Sequence, residues 1–312
     1  MDKLKKDFQD FLELFLKKHN KNNENNLMDI LKDVILGGKM LRPILVLEIS
    51  TYLNPDWKNN LETNQKIYKF ALILELIHST SLIIDDLPSM DNDTYRRGNL
   101  TFHAKYGQQN AYLMVYNLLV LIKSLIIEND DKTLWYVELE ELINHEMSNL
   151  VLGQKYDLDP EWKPNNNLSR TLKIAEYKTA SLFKLAFLGP FYLLEKENLK
   201  ESNESNESNE SNESNESKEL KDILSSLGFN LGMAFQLSDD FLDLSTDLKI
   251  NNYGLETSPE NLKNKYQEYR TNIFNDLKKL KILKNLKIFK KQSAIYEIVI
   301  MMDKRILFSI KN

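Results

Sequence analysis

The sequence predicts an all-α protein, and three observations predict it. Only 9 Gly and 7 Pro occur in 312 residues, so few turns punctuate the chain. Apolar residues return at helical spacing over most of its length, and few segments alternate as strands do. Hydrophobic residues make up 42%, enough for a sizeable core. The expected architecture is one helical bundle, a single domain over 1–312.

Residues 1–19 predict an amphipathic first helix, and 20–26 (NKNNENN) a polar turn. Leu27 to Leu36 is the next helix, with Gly37-Gly38 as its C-cap. Lys39 to Tyr52 follows, with Pro43 in the first turn, where proline is tolerated. Asn54-Pro55 breaks it. Leu61 to Asp86 is apolar at helical spacing and ends in acids. Leu100 to Gly107 is a short connection, followed by a long helix to Ile127 and another over Lys132–Leu152. Loop 157–167 holds Pro160 and Pro164. Helices resume over Leu168–Glu197 and from Glu219 to Asp243. The tail 260–312 reads as two or three Lys-rich amphipathic helices. Between them, 201–217 is an ESN repeat with no apolar residue. It cannot offset its own ordering entropy, so a disordered surface insertion is expected there.

Composition excludes several classes. Net charge is −5. The six glutamates of the repeat account for −6, leaving +1 for the rest, which gives no basic patch for nucleic acid. No Cys occurs, so there is no disulfide and no thiolate metal site. Residues 1–20 lack the apolar run of a secretory leader, and their acids argue against a transit peptide. The cytoplasm is the expected location, with an organelle left open. The most apolar stretch, 111–127, is 17 residues long with Asn117 and Lys123 inside. That is short for a membrane span, and it is expected to be a buried core helix with no membrane insertion.

Two acidic clusters carry the chemistry. HSTSLIIDDLPSMDNDTYRRG (78–98) sets Asp85, Asp86, Asp91 and Asp93 beside Arg96 and Arg97. Four such acids are no core feature. They repel one another unless cations hold them, and hard cations with oxygen ligands, Mg²⁺ above all, suit them. Guanidinium forks match phosphate oxygens. FQLSDDFLD (235–243) brings Asp239, Asp240 and Asp243, and Asp239 and Asp243 share one helix face. A lone cluster of this kind reads more readily as a solvated helix face. Two of them, each on an apolar helix, read as facing walls of one cavity across Mg²⁺ and a diphosphate. The chain has six arginines, Arg42, Arg96, Arg97, Arg170, Arg270 and Arg305, while Lys fills nearly every other basic position. Arg96 and Arg97 sit in the first of these motifs, and Arg42 in GGKMLRP (37–43).

GGKMLRP (37–43), DDLPSMDND with RRG (85–98), GQKYDLD (153–159), YKTASL (177–182) and FQLSDDFLD (235–243) occur in that order. With them the chain resembles the trans-isoprenyl diphosphate synthases, or polyprenyl synthases, over roughly residues 30–245. The likeness is to the short-chain farnesyl and geranylgeranyl diphosphate synthase type. The resemblance implies the isoprenoid-synthase bundle with a central cavity and a homodimer. It implies Mg²⁺-dependent condensation of isopentenyl diphosphate with an allylic diphosphate.

It also implies three Mg²⁺ ions, held by Asp85, Asp86, Asp91, Asp239, Asp240 and Asp243. Arg96, Lys178, Thr179 and Gln236 match the allylic diphosphate contacts. Lys39, Arg42, His78 and Arg97 match the isopentenyl diphosphate site, and Gln154 with Asp157 a polar pair near the cavity. Read alone, Lys39, Arg42, His78 and Lys178 are ordinary helix charges and a core histidine. Thr80 and Ser81, one turn before Asp85, would floor the cavity. Both are small, which implies a product longer than C15, most simply C20. Phe102, His103, Trp135 and His145 read as structural.

The chain departs from the family in two places. Tyr116-Asn117 replaces a Gly-Asp pair, and YGLETSPENLKNKY after Asp243 lacks the Lys expected near Leu255; Lys249, Lys263 and Lys265 do not align with it. Two other functions therefore stand beside the first. One is a catalytically impaired paralogue serving as a partner subunit. The other is a terpene cyclase, against which GGKMLRP and Arg97 speak.

Overall fold

Helix α1 (Asp2–His19) packs through Phe8, Leu12, Phe15 and Leu16 onto α2 (Leu41–Leu53) and α3 (Leu61–Asp85). α2 buries ten of its thirteen residues and α3 fifteen of its twenty-five. Helices apolar all round belong at the centre of a bundle, and these two are that centre. Asn60 caps α3 by accepting from the Thr63 amide at 3.1 Å. The structure is a computed structural model. The residues it describes are 1–19, 30, 32, 34, 35, 38–127, 134–162, 167–203, 215–246, 258–284 and 293–311.

The remaining helices are α4 (Phe102–Tyr106), α5 (Gln108–Ile127), α6 (Leu134–Leu158), α7 (Asn167–Ala175), α8 (Ser181–Asn203), α9 (Asn215–Thr246), α10 (Pro259–Leu283) and α11 (Ala294–Lys311). Between α7 and α8 the run widens into a π-helical segment, Glu176–Ala180. α9 packs along α8, α10 and α11, while α8 packs on α2, α3 and α6. Glu48 of α2 accepts from the Ala294 and Ile295 amides at 2.7 and 3.1 Å. It satisfies the first free donors of α11 and fixes that helix to the core.

Three expectations are corrected, while the all-α architecture holds with one small added hairpin, β1 (Tyr95–Arg96) with β2 (Asn99–Leu100). Its two-residue turn, Arg97-Gly98, has φ 54° and 81°, the left-handed pair that matches strand twist. Helix 132–152 extends to Leu158. The ESN repeat is helical at 201–203 and 215–217, where it continues α8 and α9; 204–214 lies outside the described residues. Helix α5 is buried on one face only, through Ala111, Met114, Leu118, Ile122, Leu125 and Ile126. Its other face exposes Tyr112, Leu113, Tyr116, Leu119 and Val120. By length and composition α3 and α5 could each cross a membrane, and α3 is mostly buried in the bundle. Most of the 27–36 helix and Gly37 lie outside the described residues.

Candidate active site

The acidic end of α3, the start of α2, the π segment and the C-terminal part of α9 converge on one cavity of about 1230 Å³. Lys39, Arg42, His78, Asp85, Asp86, Asp91, Arg96, Arg97, Asp157, Lys178, Thr179, Gln236, Asp239 and Asp240 all line it. Residues from positions 39 to 240 thus share one surface, as the two-wall reading expects.

The first wall is built by the turn that ends α3. The Asp91 amide donates to the Asp85 carbonyl at 2.9 Å, folding the second half of the motif back on the first. Arg96 Nε donates to Asp86 Oδ1 at 2.7 Å, and its Nη2 lies 3.6 Å from Asp93. Burial pushes the Asp85 carboxyl up to about 6; Lys178 opposes that and the Asp91 charge adds to it. Lys178 Nζ donates to Asp157 Oδ2 at 2.6 Å and stands 3.9 Å from Asp85.

Lys178 and Thr179 line the cavity from the π segment, a feature frequent at functional sites. A Cβ on Gly153 would lie 2.8 Å from Lys178 Cγ and 2.9 Å from Lys178 N. Only glycine lets α6 approach that closely. On the second wall Thr179 Oγ1 donates to Gln236 Oε1 at 2.6 Å, and Gln236 Nε2 donates to Asp240 Oδ1 at 2.8 Å.

A cationic corner lies between α2 and α3. Burial lowers the Arg42 guanidinium to about 10; Glu75 opposes the shift and Arg97 adds to it. Its Nε is buried with no partner among the described residues. Burial and then Arg42, Arg97 and Arg96 hold His78 well below the usual imidazole range. Burial lowers Lys39 as well, with Arg305 adding to the effect. Glu75, 3% exposed, faces the same corner, with its carboxyl pushed up to about 7 by burial.

Two predicted residues stand elsewhere. Gln154 does not line the cavity; it is buried, and neither atom of its amide has a partner among the described residues. Thr80 points into the core and donates to the Leu76 carbonyl at 2.7 Å, so Ser81 alone of that pair lines the cavity. The Asp243 side chain lies outside the described residues.

Sequence reasoning missed others. Glu75 is one, and Phe102, read as structural, lines the cavity. Arg305 of α11 is the largest omission. Its Nη1 lies 2.5 Å from Asp239 Oδ1 and donates to Ser238 Oγ at 3.0 Å. Its rarity in a Lys-rich chain was the available signal. Lys263 and Lys265 lie on α10 and do not line the cavity.

The donor set fits Mg²⁺. Among the described residues no three carboxylates or imidazoles form a ready-made cage. Mg²⁺ is typically bound by one or two carboxylates plus substrate phosphates, with no full protein cage. Asp85 and Asp91 supply such oxygens, and their mutual repulsion leaves negative charge for a cation to meet. Asp239 and Asp240 supply two more across the cavity.

The polyprenyl synthetase family model matches residues 24–254. A farnesyl diphosphate synthase of Buchnera aphidicola is 32% identical over 237 residues, covering 74% of this chain and 69% of that protein. A geranylgeranyl diphosphate synthase of Cyanophora paradoxa is 35% identical over 220 residues, 69% of this chain and 64% of that protein. A Helicobacter pylori geranyltransferase, solved with magnesium and isoprenyl diphosphate, superposes with a TM-score of 0.69 at 26% identity, covering 97% of this chain and 96% of that one. With the five motifs gathered at one cavity and the family model matched over most of its length, this chain belongs to the polyprenyl synthetase family.

Proposed function

We propose that this protein condenses isopentenyl diphosphate with an allylic diphosphate to give a short-chain prenyl diphosphate. One observation carries the reading: the acids of α3 and α9 and the cations of α2, the hairpin and the π segment line a single cavity. In the reaction the allylic C–O bond breaks and pyrophosphate leaves. A C–C bond forms to isopentenyl diphosphate, and a proton is lost. When magnesium is bound, Asp85, Asp91, Asp239 and Asp240 would hold it, and it would supply charge neutralisation for the leaving pyrophosphate.

The chain's own residues do the rest. Arg96 and Lys178 present fixed cations where the leaving group gains charge, which lowers the barrier without reorganisation at the moment of reaction. Lys39, Arg42, His78 and Arg97 form a second cationic corner for the isopentenyl diphosphate. Neutral His78 suits a hydrogen-bonding role there. Leu82, Ile83 and Phe102 wall the reacting carbons from water. Ser81 leaves room along α3, which favours a C20 product.

The exposed apolar face of α5 supports a homodimer, with a second copy of the chain covering it. Sedimentation should give twice the monomer mass, and Tyr116→Glu should return the monomer. A wild-type monomer, or a protein that stays in solution only with detergent, would overturn the dimer. For the activity, purified protein is incubated with Mg²⁺, isopentenyl diphosphate and labelled C5, C10 or C15 allylic diphosphates. Longer prenyl diphosphates are expected. Hydrocarbon products would make it a cyclase, and no product a non-catalytic partner subunit.

A further inference from the structure

Arg170 lies outside the cavity, yet it is buried, with 5% of its surface exposed. It sits on α7, eight residues before Lys178 on one continuous helical run. Its Nη2 donates to the Tyr156 carbonyl at 2.7 Å and the Asp157 carbonyl at 3.1 Å, and its Nη1 donates to the Trp162 carbonyl. These are carbonyls of the last turn of α6 and the bend after it. A helix end leaves such acceptors without intrahelical partners and carries partial negative charge. One guanidinium answers both needs. The Tyr156 and Trp162 rings stack at 4.0 Å, closing the bend around it.

That turn carries Asp157, whose carboxylate takes the Lys178 ammonium at 2.6 Å. Two struts therefore join α6 to the α7–π run. Arg170 holds the backbone of Asp157, and Lys178 holds its side chain. A lysine could not reach three diverging carbonyls from one nitrogen with this geometry, in a chain that otherwise favours lysine.

We propose that Arg170 is a positioning residue for prenyl transfer: by fixing the α6 end it sets Asp157 against Lys178, and so sets where the Lys178 ammonium meets the diphosphate. The inference rests on the prenyltransferase reading above. Displacement of a binding group by an ångström can cost up to a hundred-fold in rate, so the effect should be measurable.

The test is a double-mutant cycle on the full chain with Arg170→Gln, Arg170→Lys and Asp157→Asn, read without turnover as Mg²⁺-dependent binding of inorganic pyrophosphate. Arg170→Gln is expected to weaken binding about ten-fold in the wild-type background and less than about two-fold in Asp157→Asn. In turnover, KM for the allylic diphosphate should rise while KM for isopentenyl diphosphate stays put. Hydrogen exchange should quicken at amides 156–159, 161 and 162 with the rest of the chain unchanged. Equal losses in both backgrounds, or equal rises in both KM values, would reduce Arg170 to a packing residue and overturn the proposal. If Arg170→Gln does not fold, Arg170→Lys carries the same cycle. A wild type that binds pyrophosphate without prenyl transfer sinks the prenyltransferase reading and leaves this cycle readable. One that does neither overturns both.

Discussion

Arg305 of the last helix lies 2.5 Å from Asp239 of the second acidic cluster. Tyr266 OH and Arg270 hold α11 for this contact, both bonding Asp303 at 2.7 to 2.9 Å, two residues before Arg305. The cavity's far wall thus has a cation, Arg305, beside Asp239, where the stretch just after Asp243 lacks the expected Lys. Arg305→Met should lower kcat/KM by at least ten-fold, about 1.4 kcal/mol of barrier, while Arg305→Lys keeps part of it. Stability should change by under about 1 kcal/mol, because Asp239 is partly solvated and such pairs are weak. Steady-state kinetics with a thermal melt checks both. Wild-type kinetics in Arg305→Met would remove Arg305 from the site.

Asp85 should trade stability for chemistry. Burial pushes its carboxyl up to about 6, so its charge is a cost to the fold. Asp85→Asn should fold as well as wild type or better, while turnover falls below a tenth. Asp239→Ala should lose turnover to the same degree. If either variant keeps more than about a tenth of the rate, a barrier change under roughly 1.4 kcal/mol, the metal assignment is wrong.

Glu75 gives a pH signature. Its carboxyl rises from 4.5 in the open chain to about 7 in the fold. A raised carboxyl favours the folded state when protonated. That stability is present below pH 4.5 and is lost as pH rises through 7. Above pH 7 the ionised carboxylate costs on the order of 3 kcal/mol. Glu75→Gln should therefore gain stability relative to wild type between pH 5 and pH 8. Urea unfolding of both proteins at the two pH values measures the difference. A difference that does not grow with pH would mean that Arg42 and Arg97 fully offset the buried charge.

Much of the site was legible because its residues had to be unusual. Acids ending an apolar helix, at 85–86 and 239–240, contradict burial and so announce a ligand. Arginine in a lysine-rich chain announces geometry. Arg42, Arg96, Arg97 and Arg305 line the cavity, while Arg170 and Arg270 hold elements that frame it. What was hidden depends on long-range placement. No local pattern tells which face of α3 turns to the cavity, so Thr80 and Ser81 looked alike. The outer face of α5 is as apolar as its inner face, so composition read it as core. The π segment leaves no local mark; only Gly153, inside another helix, hints at it. The hairpin did have a mark, Arg97-Gly98, overlooked because each strand is two residues long.

On the proposed prenyltransferase reading, product length is expected to turn on Ser81. Helical residues four apart share a face, so Ser81 lies beneath Asp85 on the cavity wall, while Thr80 is turned toward the core. A prenyl tail growing away from the acids along α3 would meet Ser81 about one turn down, about 6 Å from Asp85 along the axis. The small serine side chain there would leave room for a longer tail. Ser81→Tyr should fill it and shift the product from C20 to C15 or shorter, with the rate of the first condensation largely kept. Thr80→Tyr should act differently. It overpacks the core at about 1–3 kcal/mol, lowering the melting temperature without shortening the product. Chromatography of products made from labelled isopentenyl diphosphate separates the two. An active Ser81→Tyr enzyme with the wild-type product distribution would show that the floor lies elsewhere, with Phe102 and Tyr106 next to be substituted since both line the same cavity.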